Sequence, residues 1–314
     1  MAFDITHYRN TLVVTDGDWR SELFLRGWKG TSDLERANLS KPDIVRDVAE
    51  AFLDAGAKVL VTSTAGANVL SLAERLDAKD MTENEILAMN REGAAICRAA
   101  ASEYPAKDLL VFGAMGPTEQ LLMLNEIEDA TLHDAYETQA GALAAGGVDA
   151  ILCRSFTEIQ ALSIAVKAAT SATGLPVVGS MTFDCGPEQT ETTLGVTIPQ
   201  ACAEMVDAGA SVVGCDCGEN PDAAQAVVTL MRQSCGLPIW VKINAGVPQL
   251  VEGRVAYPET PDEFTRRLAP LAQAGANFVG GCHGASVDHI AAMAASRKEP
   301  KSKRGSSGTR RRPG

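Results

Sequence analysis

No stretch of this chain holds about 18 consecutive apolar residues, which excludes a membrane-spanning helix. The start, Met1-Ala2-Phe3-Asp4-Ile5-Thr6-His7, lacks the basic residues and apolar run of a secretory signal. A disulfide framework is missing too. The eight cysteines, at 97, 153, 185, 202, 215, 217, 235 and 282, are scattered along 314 residues, a pattern that fits a reducing, cytoplasmic setting. Each is a small buried hydrophobe by default, so a ligand role has to be argued one cysteine at a time. What the chain does have is ordinary for a soluble globular protein with a sizeable core: 46% hydrophobic and 22% charged residues.

Basic residues are also in short supply, except at one end. The net charge is −12, yet Arg297, Lys298, Lys301, Lys303, Arg304, Arg310, Arg311 and Arg312 face a single acid, Glu299, after position 296. The body is therefore more acidic than the total shows, which argues against a nucleic-acid partner. The tail, rich in Lys, Arg, Ser, Gly and Pro, cannot bury enough apolar surface to fold. The expected organisation is one domain over residues 1–296 and a disordered basic tail over 297–314.

Eight short apolar runs recur along that domain: Thr11–Thr15, Lys58–Thr62, Leu109–Gly113, Ala150–Arg154, Pro176–Ser180, Ser211–Cys215, Pro238–Ile243 and Phe278–Gly281. Several follow the same kind of lead-in, Ala55-Gly56-Ala57, Gly146-Gly147-Val148-Asp149, Ala208-Gly209-Ala210 and Ala274-Gly275-Ala276, in which glycine serves as a helix C-cap. Continuous apolar runs suit strands buried on both faces of a parallel sheet. Helix-length amphipathic stretches lie between them, among them Ile44–Ala55 and Pro199–Ala208, the latter opened by Thr197 as an N-cap. Strand followed by helix, eight times over, predicts an α/β fold of the (β/α)8 TIM-barrel type.

In such a barrel the chemistry sits at the C-terminal ends of the strands. Two of those ends carry soft ligands: Gly214-Cys215-Asp216-Cys217 after the sixth run and Gly281-Cys282-His283-Gly284 after the eighth. A catalytic zinc takes about three protein ligands and keeps one open position. The sixth and eighth strands flank the seventh, so their loops can converge on one ion. One of Cys215 and Cys217 is expected to face the site, and the spacing leaves open which.

These elements together resemble the homocysteine S-methyltransferase family, which includes the betaine-dependent enzyme and the homocysteine-binding module of cobalamin-dependent methionine synthase. The resemblance runs from about Thr11 to Met293. It rests on Asp16-Gly17-Asp18 with Arg26-Gly27, Thr62-Ser63-Thr64-Ala65 with Ala67-Asn68, and Gly113-Ala114-Met115-Gly116-Pro117. Lys242-Ile243-Asn244-Ala245-Gly246-Val247-Pro248 and Tyr257-Pro258-Glu259-Thr260-Pro261 complete it. The resemblance implies zinc held by Cys217, Cys282 and His283, with the last standing where the family has a third thiolate. Substrate contacts are expected from Asp16, Thr62, Thr64, Met115, Arg154 and Asn244. Arg154 replaces an acid that in the family is expected to hold the substrate ammonium; an arginine favours a carboxylate or phosphate unless it pairs with an acid such as Glu158.

The implied reaction is transfer of a methyl group to a thiol, homocysteine giving methionine. No cobalamin or folate domain follows in the sequence, so the expected donor is a small molecule, such as S-methylmethionine or a betaine-like compound, or a methyl-corrinoid protein partner. Two rival readings fit the same residues: a metal-independent aldolase using Lys242, and a degenerate, non-catalytic barrel that binds a partner.

Overall fold

The computed structural model describes residues 4–30, 34–73, 81–106, 108–118, 122–124, 126–216, 218–251 and 254–297. Cys217 and the tail beyond Arg297 lie outside the described residues.

Eight parallel strands form one sheet. They are β1 (Val13–Val14), β2 (Val59–Val61), β3 (Leu110–Met115), β4 (Ala150–Phe156), β5 (Val177–Met181), β6 (Val212–Asp216), β7 (Ile239–Ile243) and β8 (Phe278–Gly281). The strand order is 1-8-7-6-5-4-3-2, and a parallel bridge between Thr15 and Val59 links the first strand to the second. The sheet thus closes on itself as a TIM-type barrel. The helices around it include α1 (Trp19–Leu25), α2 (Pro42–Asp54), α3 (Glu83–Glu103), α4 (Asp129–Ala145), α5 (Ile159–Thr173), α6 (Ile198–Asp207), α7 (Ala224–Ser234), α8 (Leu268–Ala274) and α9 (Val287–Ser296). A short antiparallel hairpin, Gln249–Val251 with Arg254–Ala256, follows β7. No described helix is long and apolar enough to cross a membrane.

The glycine lead-ins do what their chemistry allows. Gly56, Gly147, Gly209 and Gly275 all take positive φ between a helix and the next strand, a conformation that a Cβ would strain. At the other end of the turn, Thr197 and Gln200 form a reciprocal capping box that starts α6.

Strand alternation sorts the core into two layers. Val59, Val61, Leu110, Phe112, Ala150, Leu152, Val178, Val212, Trp240 and Phe278 pack together in one buried cluster, the barrel interior. Phe112 stacks on Trp240 with centroids 5.6 Å apart, and Phe278 lies 5.9 Å from Trp240. Each such side chain contributes about 1.5–3 kcal/mol by leaving water. The intervening residues, such as Val111, Met115, Ile151, Val213 and Cys215, join the second cluster, between the strands and the surrounding helices.

The same alternation continues upward and turns polar. In step with Ala150 and Leu152 comes Arg154; in step with Val212 comes Asp216; in step with Trp240 comes Lys242. The apolar filling of the barrel ends in a charged layer just below the C-terminal mouth.

Candidate functional site at the barrel mouth

Two ion pairs make up this layer. Lys242 Nζ lies 2.5 Å from Asp16 Oδ1, and neither side chain has any exposed surface. Asp16 Oδ2 also accepts from the Trp19 indole at 2.7 Å and from the Val61 amide at 2.6 Å. Loss of hydration pulls the Lys242 ammonium below its ordinary pKa, and the Asp16 carboxylate works against that shift.

The second pair is Arg154 with Asp216. Arg154 Nε donates to Asp216 Oδ2 at 3.0 Å, and the Ser155 amide donates to Oδ1 at 2.9 Å. Asp216 is thus the acid that pairs with Arg154. Glu158 is used elsewhere, accepting from the amides of Leu122 and Met123 at 3.1 and 2.7 Å. To present Arg154 inward and its own amide to Asp216, Ser155 takes φ +63 at a register shift in β4. A non-glycine residue in that region carries a cost of about 1–3 kcal/mol. Ser155→Gly is therefore expected to raise stability by about 1 kcal/mol, read as an increased midpoint in urea unfolding. A lower midpoint would mean that the 3.4 Å contact of the Ser155 hydroxyl with Asp216 outweighs the strain.

Above this layer lies a cavity of about 290 Å³. Its walls include Thr62 and Thr64 from the loop after β2, Arg154 and Ser155 from β4, and Cys282 and His283 after β8, with Asp18, Arg20 and Glu35. Arg154 Nη2 donates to Cys282 Sγ at 3.2 Å, so the guanidinium spans from Asp216 to the candidate ligand sulfur. Cys282 is disulfide-bonded in this structure. The loop that carries it is fixed at both ends. The Cys282 amide donates to Ile243 O at 2.7 Å, and the Gly284 amide to Asp18 Oδ2 at 3.0 Å. Gly284 takes φ +77, and a Cβ there would meet the Tyr257 ring.

The His283 ring stacks on Tyr257, centroids 5.9 Å apart and planes 17° from parallel. The residue is exposed at the mouth, yet the crowded rim strips enough hydration to lower its pKa. Arg154 and Arg20 push the same way, against Asp18 and Asp216.

The sequence-selected residues therefore divide. Thr62, Thr64, Arg154, Cys282 and His283 share the cavity. The two threonine hydroxyls are 2.6 Å apart, and Thr62 Oγ1 accepts from the Ala114 amide at 2.9 Å. Asp16 lies beneath, committed to Lys242. Asn244 ties the loops, donating to Gly218 O at 2.9 Å and accepting from the His283 amide at 3.2 Å. Met115 is fully buried in the outer cluster, one step out of phase with the inward-facing residues of β3. Cys215 is likewise turned outward.

Asp216, Asp18 and Glu35 were not selected from the sequence. Asp216 was within reach, because it shares the inward phase of Val212. The other two sit in loops, where no periodicity operates.

Two further features share no residue with that cavity. A cavity of about 530 Å³ involves Asp222, Glu259 and Arg267, which are already joined in salt bridges, and holds none of the soft ligands. His133, Asp134 and Glu137 on α4 are, among the described residues, close enough together to hold a metal ion. They sit partly to fully exposed on an outer helix, and exposed acidic groups of this kind are common without a metal.

Fold and site together define a TIM barrel with a cysteine sulfur and an imidazole at the C-terminal face. The homocysteine S-methyltransferase family profile matches residues 13–296, and the chain belongs to that family. It is 31% identical over 279 residues to methionine synthase of Mycobacterium tuberculosis (strain ATCC 25618 / H37Rv), covering 86% of this chain and 22% of that protein. Against methionine synthase of Mycobacterium leprae (strain TN) it is 30% identical with the same coverage. The chain thus spans about a fifth of the length of these curated relatives. Among solved structures, the metallated form of the homocysteine methyltransferase MmuM from Escherichia coli superposes with a TM-score of 0.76 at 18% identity. That match covers 93% of this chain and 98% of the other, and it shows the shared fold.

Proposed function

We propose that this chain is a zinc-dependent methyltransferase that passes a methyl group to the thiol of homocysteine to give methionine. The observation that carries the reading is the convergence of Cys282, His283 and Arg154 on one cavity at the barrel mouth. With the Cys282 disulfide reduced, the donor set fits the metal. A thiolate and an imidazole are both good zinc ligands, and Cys217, outside the described residues, is the third in this reading. When bound, zinc supplies a Lewis acid that lowers the pKa of the acceptor thiol.

The chain's own residues do the rest. Asn244 fixes the His283 backbone, and Asp18 fixes Gly284, so the ligand loop is held from both sides. Arg154, itself anchored by Asp216, offers a cationic hydrogen-bond donor beside the ligand sulfur. The cavity orients acceptor and donor for in-line attack and limits the access of water. The donor in this reading is S-methylmethionine, a betaine-like compound, or a methyl-corrinoid protein partner. A cytoplasmic setting is part of the reading, supported by six free cysteines among the described residues. Lys242, the residue an aldolase would use, has no exposed surface and does not line the cavity.

Metal analysis tests the assignment. Wild type is expected to hold one zinc per chain, and Cys217→Ala, Cys282→Ala and His283→Ala to lose most of it. Full zinc in any one of the three removes that residue from the ligand set. Zinc-loaded protein that is inactive with homocysteine and every donor would favour the non-catalytic barrel.

A further inference from the structure

The wall of the cavity at the mouth includes four charged side chains, Asp18, Arg20, Glu35 and Arg154. Three of them are held by neighbouring chain. Arg154 is bonded to Asp216, Asp18 to the Arg20 and Gly284 amides and the Ser21 hydroxyl, and Glu35 to the Gly66 amide. Arg20 differs. Its guanidinium has no ion pair or hydrogen bond among the described residues, and the residue is exposed.

The backbone beneath that side chain is, by contrast, fixed against the loop that carries Cys282 and His283. The Asp18 amide donates to Ala285 O at 2.8 Å, and a Cβ on Gly17 would lie 2.2 Å from that same oxygen. Asp18 Oδ2 accepts from the Gly284 amide at 3.0 Å, and Oδ1 from the Arg20 amide at 3.0 Å. One carboxylate thus ties the base of Arg20 to the ligand loop. Trp19, between the two, is locked by its indole onto Asp16. Arg20 is a long cation with an anchored base and a free end at the cavity wall.

We propose that Arg20 is a specificity-determining residue that receives the carboxylate of the acceptor thiol. The assignment rests on the reading of that acceptor as homocysteine. In homocysteine four bonds separate the sulfur from the carboxyl carbon, so a sulfur placed beside Cys282 and His283 leaves the carboxylate inside the same cavity. There it meets Asp18 and Glu35, in a chain of net charge −12, and a cation is needed to offset their repulsion. Of the two guanidiniums in the wall, Arg154 already faces Asp216, whereas Arg20 has its fork open. That fork matches a carboxylate through two parallel N–H···O bonds. Because the free end starts in water, its contribution falls at the low end for a bond between charged groups, about tenfold in affinity.

Titration calorimetry on the zinc-supplemented full chain, with no methyl donor present, tests this. Two thiols are compared: homocysteine, and 3-aminopropane-1-thiol, which keeps the thiol and ammonium and lacks the carboxylate. Arg20→Gln is expected to weaken homocysteine about tenfold and to leave 3-aminopropane-1-thiol unchanged, while Arg20→Lys keeps part of the affinity. The urea midpoint and zinc content of both variants should match wild type, since the side chain they replace has no partner among the described residues. Homocysteine bound equally by Arg20→Gln and wild type overturns the proposal. So does an equal loss for both thiols, which would give Arg20 a part in loop structure alone. Wild type that binds neither thiol would instead refute the homocysteine reading itself, and the Arg20 assignment with it.

Discussion

Lys242→Met is expected to destabilise the protein by about 3–5 kcal/mol, because it leaves the Asp16 carboxylate buried without its cation. Two unit charges at 2.5 Å with no exposed surface hold each other in place only as a pair. Removing either one leaves an unpaired charge in the barrel interior. Asp16 retains the Trp19 indole and Val61 amide as donors, which keeps the loss from being larger. The double variant Asp16→Asn/Lys242→Met removes both charges and preserves an acceptor for those donors. It is expected to recover at least half of the deficit, measured by urea unfolding. A double variant as unstable as the single would show that Lys242 matters for its packing beside Trp240 rather than for its charge.

The fold was legible because its punctuation is repetitive. Glycine at a helix end followed by a continuous apolar run marks the entry to β2, β4, β6 and β8, and the left-handed glycines realise that pattern directly. The first strand was harder to read. Of the run Thr11–Thr15, only Val13 and Val14 form regular pairs, with Thr15 adding a bridge to β2. Local propensity does not register where the barrel closes.

The site was legible in position but less so in role. Strand-end reasoning found Asp16 and Asn244, yet both are turned to neighbouring chain rather than to the cavity. The signal for Asp16 was present all the same. An isolated acid and an isolated lysine, each at the end of an otherwise apolar run, are hard to bury except as partners. Met115 and Cys215 could have been set aside by phase alone, since each is out of step with the inward residues of its strand. Alternation cannot choose Cys217 over Cys215, because residues two apart share a face. A ligand role for Cys217 requires the chain to leave the strand after Asp216, where β6 ends. His283 and Glu35 depend on loop geometry, which periodic patterns do not encode.

Arg154 then poses a question of charge. The acid expected at this position in the family would hold the ammonium of homocysteine, and here that edge of the mouth carries a guanidinium neutralised by Asp216. An ammonium brought into the cavity therefore needs another carboxylate. Asp18 is occupied: it caps α1 through the Arg20 amide and receives Ser21 and Gly284 as well. Glu35 lines the same cavity, and its Oε1 is positioned by the Gly66 amide at 2.8 Å. We expect Glu35→Gln to raise the KM for homocysteine by about 10- to 100-fold, the loss of one hydrogen bond to a charged group worth about 1.5–3 kcal/mol, while kcat changes much less. Arg154→Met should shift that KM only a few-fold, because its charge is already met by Asp216. The control is 4-mercaptobutanoate, which keeps the thiol and carboxylate and lacks the ammonium; its KM should be the same in Glu35→Gln as in wild type. An equal rise for both thiols would place Glu35 in loop structure alone. An unchanged KM for homocysteine would leave the ammonium to be held by a different group.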